Sequence, residues 1–279
     1  MKIVAVIPAR LASTRLPRKV LREIAGKTML ERVVTAARGA KQLAAVIVAT
    51  DSEEVMELCR SRQWECRMTS AECRSGTDRV REIAQSVDAD IYVNVQGDEP
   101  LARAEHLDTM LAPMLADSAI EVATLATPCK PHDITNPNAV KVVTNLQGRA
   151  LYFSRSTIPF DRDEIMARIQ LYGRSWRNLL SKFITIYSPT VDTAKTPNSI
   201  AYKKHLGFYA YRKQTLERFC QWPESSLERA ERLEQLRFLE NGVGIHVSMT
   251  PHDTIGVDTE DDLQRVEALI RACEQHKKQ

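Results

Sequence analysis

The run Lys2-Ile3-Val4-Ala5-Val6-Ile7 passes without a break into Pro8-Ala9-Arg10-Leu11-Ala12-Ser13-Thr14-Arg15-Leu16-Pro17-Arg18-Lys19. Its first part is apolar and rich in β-branched residues with no polar alternation, the pattern of a strand covered by helices on both faces. Its second part holds four cations and two hydroxyls within twelve residues. That density suits an anion, and loops leaving the strands of an open α/β sheet lie where such folds bind ligands. Composition alone also admits a solvated basic loop with Pro17 as a turn former. The loop has neither the Gly-x-x-x-x-Gly-Lys-Ser/Thr spacing of a P-loop nor the glycine pattern of dinucleotide-binding folds, so generic NTPase and dehydrogenase chemistry lose support.

Working outward, Ala44 to Thr50 and Ile91 to Val95 repeat the strand pattern, and amphipathic stretches separate them. The first 125 residues therefore read as βαβ units building a mostly parallel, Rossmann-like α/β sheet. Thr28 is placed to cap a helix with Met29, Leu30, Val33, Val34 and Ala37 on one face, ended by Gly39. Ser52 is placed to start another, running to about Arg60. Beyond residue 125 the pattern is mixed, with strand-like runs at Glu121 to Ala126, Ala139 to Val143 and Gly207 to Tyr211. A charged helix is expected from about Leu227 to Leu239, and a last helix after Asp258. Residues 163–199 show neither period and read as an insertion or lid.

With 43% hydrophobic and 27% charged residues among 279, the chain can bury a full core. The 39 basic and 36 acidic side chains are scattered, which argues against nucleic acid as a partner. No apolar run has the length of a signal core or a membrane span, so a cytoplasmic protein is expected. Six cysteines include three spaced by seven, Cys59, Cys66 and Cys73. With no C-x-x-C pair they read as ordinary thiols rather than a zinc site.

Asn94-Val95-Gln96-Gly97-Asp98-Glu99-Pro100 leaves the third strand and ends in two acids behind a glycine. An acid at that place beside a phosphate loop is a candidate Mg²⁺ ligand, with a helix-capping role as the competing reading. Asp258 in Gly256-Val257-Asp258-Thr259 has the same two readings. Ser75 and Asp78 have the spacing of a capping box.

The strings IPARLASTRLPRK (7–19), SGTDRV (75–80), VNVQGDEP (93–100), NPNAVKVV (136–143), ALYFSRSTIPFDRD (150–163), KHLGFYAY (204–211), LERAERLEQLR (227–237) and GVDTEDDL (256–263) closely resemble the 3-deoxy-manno-octulosonate (Kdo) cytidylyltransferases, also called CMP-Kdo synthetases. The resemblance implies a nucleotidyltransferase fold with a small dimerisation subdomain. It also implies the reaction CTP + Kdo → CMP-Kdo + pyrophosphate, which activates Kdo for lipopolysaccharide synthesis. Within one domain it implies a CTP-binding part over 1–125, a sugar-binding and dimerising part over 126–240 with the insertion 163–199, and a return to the core over 241–279. Pro8, Ala9, Arg10, Ser13, Thr14, Arg15 and Lys19 would hold the nucleotide with Arg74, Ser75, Gly76 and Asp98. Arg10, Lys19 and Asp98 would carry the catalysis, with Asp98 and Asp258 holding Mg²⁺. Gln96, Arg155, Arg162, His205 and Gln235 would face the sugar, whose carboxylate calls for extra cations. Taken singly, Arg162 and Gln235 also read as surface residues and His205 as a structural histidine. A homodimer with CTP and Kdo as its small-molecule substrates is implied.

The chain departs from the family pattern in two places. Arg18 stands where the family has glycine, so a positive φ there would be strained. The stretch 163–199 is longer than the family's usual connection. An 8-amino-Kdo or a sialic acid is the alternative substrate, and a nucleotide-binding protein without catalysis is the alternative class. The presence of Lys19, Asp98 and Asp258 together speaks against the latter.

Overall fold

A computed structural model describes residues 1–11, 13, 15–73, 75–162 and 201–276. The expected insertion at 163–199, Thr14 and Arg74 lie outside the described residues. Along the chain the strands are β1 (Ile3–Pro8), β2 (Glu23–Ile24), β3 (Lys27–Thr28), β4 (Ala45–Thr50), β5 (Glu65–Met68), β6 (Ile91–Asn94), β7 (Val122–Pro128), β8 (Lys141–Thr144), β9 (Ala150–Ser154), β10 (Lys203–Arg212) and β11 (Ile245–Met249). The helices are α1 (Met29–Arg38), α2 (Glu53–Ser61), α3 (Gly76–Ser86), α4 (Ala104–Ala116), α5 (Pro131–Ile134), α6 (Lys213–Phe219), α7 (Ser226–Glu231), α8 (Leu236–Glu240) and α9 (Glu260–His276).

β1 explains the architecture. Ile3, Ala5 and Ile7 pack in one apolar layer with Leu30, Val33 and Val34 of α1 and Leu107, Met110 and Leu111 of α4. Val4 and Val6 point the other way, into a layer with Val80 and Ile83 of α3 and Leu216 and Phe219 of α6. Successive side chains of a strand face opposite sides, so an unbroken apolar run serves two helical layers at once. β1 pairs in parallel with β4 and β6, and the main sheet runs β11-β7-β10-β6-β1-β4-β5. β10 is antiparallel to both β6 and β7, and β8 and β9 extend from it as a ribbon.

Most local expectations hold. The Thr28 hydroxyl accepts from the Glu31 N–H at 3.1 Å to cap α1, and the five apolar residues of its expected face are all buried. Ser75 and Asp78 form the capping box of α3. Ser52 occupies the N-cap of α2 but makes no capping bond with its side chain.

One expectation is corrected. The single helix from Leu227 to Leu239 is two short ones, parted where Arg232 takes φ 55°. Glu228 accepts from the Ser225 N–H in a capping box and also from Arg237 Nε at 2.6 Å, so the chain doubles back to bury Leu233, Leu236 and Phe238. The boundary drawn at residue 125 falls inside β7, and β10, from the segment assigned to the sugar, lies in the middle of the main sheet. Cys59, Cys66 and Cys73 fall on α2, on β5 and in the loop before α3, and all six cysteines are free thiols.

Among the described residues no helix is long and apolar enough to cross a membrane. Arg79 is fully buried in α3, where its guanidinium reaches the Thr69 hydroxyl and bonds Asp51 Oδ2 at 2.5 Å, tying α3 to the carboxyl ends of β4 and β5. Breaking a buried pair strands the partner's charge, so Arg79→Met is expected to cost about 3–5 kcal/mol. The check is a lower urea midpoint at unchanged slope.

Candidate active site

Loops at the carboxyl ends of β1, β4 and β6 converge, as the topology required. The Ala9 N–H donates to the Ala49 carbonyl at 2.8 Å, and the Thr50 hydroxyl donates to the Ala9 carbonyl at 2.7 Å. Gly97 is needed for the approach of the third loop, since a Cβ there would stand 2.7 Å from the Pro8 carbonyl oxygen. The Val257 N–H donates to the Asp98 carbonyl at 3.0 Å, which carries the distant Gly256-Val257-Asp258 segment to the same place.

Lys19 is where these loops meet. Its ammonium lies 2.5 Å from Asp98 Oδ2 and 2.9 Å from Asp258 Oδ1. Burial opposes the charge on Lys19, but the two carboxylates outweigh burial and raise its pKa. For Asp258 burial is likewise outweighed, here by Lys19 and Arg15, and its carboxyl is held below the usual range. Arg15 reaches the other oxygen of Asp258 at 3.0 Å. Arg10 is exposed with no partner among the described residues. The Ser13 hydroxyl accepts from the Leu16 N–H at 3.4 Å and helps bury Leu16.

Arg18 does take the left-handed conformation, φ 56° and ψ 31°. That costs an arginine about 1–2 kcal/mol relative to ordinary backbone. Its side chain pairs with Glu54 in the open, and the following turn still delivers Lys19 between the acids. The strain leaves the position of the lysine intact.

Gly76 and Gln96 are in contact, for a Cβ at Gly76 would stand 2.9 Å from Gln96 Nε2. The amino end of α3, with Ser75, is thereby joined to the loop after β6. A cleft of about 940 Å³ adjoins it, lined in part by Ser75, Asp78 and Glu234, and does not include Lys19, Asp98 or Asp258.

On the expected sugar side, Gln235 is buried, not at the surface, and its Nε2 has no hydrogen-bond partner among the described residues. A buried amide donor left unpaired marks a place where a ligand or water is wanted. Arg155 is half-buried and already engaged: Nε donates to the Glu231 carbonyl at 2.8 Å and Nη1 to the Pro137 carbonyl at 3.0 Å. Arg162 is exposed.

His205, expected to face the sugar, is held uncharged. Burial pushes its pKa down to about 3, so it is neutral at pH 7. Nε2 lies 3.0 Å from Thr124 Oγ1, whose single proton is committed to the Phe208 carbonyl at 2.7 Å. The hydroxyl must then accept from Nε2–H, and Nδ1 is left as an acceptor suited to a sugar hydroxyl.

Three further residues carried no sequence signal for the roles they have. Burial and the neighbouring Asp98 push Glu99 up to about 8, and its Oε2 has no partner among the described residues. Glu234 accepts from the Thr77 hydroxyl at 2.8 Å, linking α3 to the Gln235 segment. Glu231 binds Ser154 and Arg155.

The cytidylyltransferase family profile matches residues 4–247. The 3-deoxy-manno-octulosonate cytidylyltransferase of Koribacter versatilis is 60% identical over 272 residues, 98% of this chain and 91% of the relative. The chain belongs to the 3-deoxy-manno-octulosonate cytidylyltransferase family. The enzyme of the same name from Acidobacterium capsulatum is 51% identical, covering 97% of each chain. A CMP:2-keto-3-deoxy-manno-octonic acid synthetase solved in complex with CTP superposes with a TM-score of 0.82 at 38% identity, over 98% of this chain and 99% of that one. As a cytidylyltransferase, this chain is an enzyme that transfers a nucleotidyl group.

The neutral His205 sets a pH dependence. Between pH 6.5 and about 3 the unfolded chain protonates this imidazole and the folded chain does not, so stability is full above 6.5 and falls as the pH falls. His205→Gln removes that contribution. Its urea midpoint is expected to decline less than that of the parent between pH 6.5 and pH 4.

Proposed function

We propose that this enzyme transfers CMP from CTP to Kdo, releasing pyrophosphate, and that the acid–lysine cluster of Asp98, Lys19 and Asp258 holds the reacting phosphates. The observation that carries the reading is that cluster, assembled from three distant segments at the carboxyl ends of β1 and β6.

Charge balance tests whether a metal fits. Two carboxylates are matched by Lys19 and by Arg15 on Asp258, so the centre has no net positive charge left over for an incoming triphosphate. A divalent cation held by one or two carboxylates and completed by phosphates and water supplies it. Among the described residues no third histidine, cysteine or carboxylate joins the pair to form an all-protein cage, in keeping with that kind of site. Asp98 and Asp258 would hold Mg²⁺, which would supply charge neutralisation at the phosphates and a lower pKa for the attacking hydroxyl.

The remaining steps fall to the chain's own groups. Lys19, Arg10 and Arg15 spread the negative charge that grows on the phosphates as the α-phosphorus is attacked. Ser75 and Gly76 at the amino end of α3 serve the nucleoside, and Gln96 beside them lies between nucleotide and sugar. Gln235, His205 and Arg155 orient the sugar so that its anomeric oxygen forms the new bond to the α-phosphorus as the bond to pyrophosphate breaks. His205, being neutral, binds a hydroxyl, and the sugar carboxylate is left to the arginines. The free thiols and the use of CTP fit a cytoplasmic setting.

A homodimer is part of the reading. Leu146, Leu151 and Met249 are exposed apolar residues on the turn, ribbon and edge strand formed by β8, β9 and β11. Leu151→Glu is expected to shift the enzyme from dimer to monomer in light scattering, and an unchanged mass would reject this face.

Pyrophosphate release from CTP and Mg²⁺ is expected with Kdo and to be weaker with 8-amino-Kdo and sialic acid. Release with none of them would reject the function. Asp98→Asn should fold normally and lose about a thousandfold in turnover, the equivalent of several kcal/mol of charge stabilisation.

A further inference from the structure

Lys141 opens β8 with none of its surface exposed. Its ammonium donates to the carbonyls of Asn136 at 2.8 Å, Ala139 at 2.6 Å and Arg155 at 2.8 Å. These bonds use all three of its protons, and none goes to a carboxylate. A buried ammonium bonded to no carboxylate, with the charges of Asp133 and Glu231 acting on it from further off, is a costly way to fill a strand position that methionine or leucine would fill more cheaply. What the lysine accounts for is the arrangement it holds, with the 136–139 loop on one side and the backbone of Arg155 on the other.

Arg155 is fixed from the opposite side by Glu231. Oε2 of Glu231 accepts from the Arg155 N–H at 2.9 Å, Oε1 accepts from the Ser154 hydroxyl at 2.5 Å, and the Glu231 carbonyl accepts from Arg155 Nε at 2.8 Å. With Nη1 on the Pro137 carbonyl at 3.0 Å and Nη2 near the Arg232 carbonyl at 3.5 Å, three of the five N–H groups of the guanidinium are in use. Two remain. Glu231 also ends α7, and the chain turns through Arg232 at φ 55° to reach Glu234, held by Thr77, and Gln235 with its unpaired amide.

We infer that Lys141 and Glu231 are positioning residues for the acidic-sugar side of the site, holding Arg155 and the Gln235 segment in one fixed arrangement before the sugar arrives. The inference rests on the proposed function. Neither residue touches the sugar itself in this scheme. Each acts through a donor whose spare N–H groups meet it, and pre-ordering those donors removes an entropic cost from sugar binding. Neither bonds the 8–19 loop or the two metal-side acids, so nucleotide binding should be indifferent to both.

The test is steady-state kinetics of Glu231→Gln and Lys141→Met with Kdo, CTP and Mg²⁺, beside CTP binding by calorimetry and thermal midpoints. Glu231→Gln keeps shape and volume and so remains informative if the loss of Lys141 weakens folding. The expected result is a Michaelis constant for Kdo raised about tenfold or more, with that for CTP and the CTP affinity within about twofold of the parent. If both Michaelis constants rise together, or neither moves, the inference is overturned while the function stands. A parent enzyme that releases no pyrophosphate with any acidic sugar overturns the function and the inference with it.

Discussion

Lys19 between Asp98 and Asp258 is the contact on which the rest of the site depends. Two carboxylates brought together in a partly buried place repel, and a cation between them offsets that repulsion. The lysine makes their meeting tolerable. It also links the end of the first strand to a segment more than two hundred residues away, so the carboxyl edge of the sheet is closed by charge as well as by packing. Glu99 next to it is pushed up to about 8 by burial and by Asp98, so at neutral pH it largely keeps its proton and adds little to the negative charge. The site therefore offers two acids and a set of cations on a loop, a balance that an anionic substrate and a divalent cation can enter together.

Much of this was legible in the sequence because the physics was local or periodic. The apolar run at Ile3–Ile7 announces a strand covered on both faces, and Thr28 and Ser75 announce helix starts through hydroxyls that find N–H groups three residues on. Arg18 announced a backbone conflict, and its φ of 56° shows where the conflict lies. The helix expected over 227–239 failed for a non-local reason. Its charged residues read as one continuous helix, whereas Glu228 pairs with Arg237 and pulls the chain back on itself. Periodicity sees spacing along the chain, and that pairing depends on a turn at Arg232 that no residue type announces.

The sugar side was the least legible part. The arginines and His205 were read as free to meet the sugar, since residue type alone does not show what the fold has already engaged. In the folded chain, burial strips His205 of its proton, and Arg155 spends much of its guanidinium on backbone carbonyls. Gln235 inverts the expectation in the other direction, since a residue type commonly left in solvent is buried here with a donor unused. What a polar residue can offer a ligand is set by what the fold has already taken from it.

β10 has one more consequence, for how the chain is made. It fills the gap between β6 and β7, and its Tyr209 pairs with Asn94, more than a hundred residues earlier. A ribosome adding about 5–20 residues per second needs roughly ten seconds to move from one to the other. Through that interval the half-sheet of β5, β4, β1 and β6 has an open hydrogen-bonding edge, the kind of edge that recruits other strands. The nascent enzyme is therefore most vulnerable to mispairing in the middle of its synthesis, at the strand whose loop will carry Gln96 and Asp98.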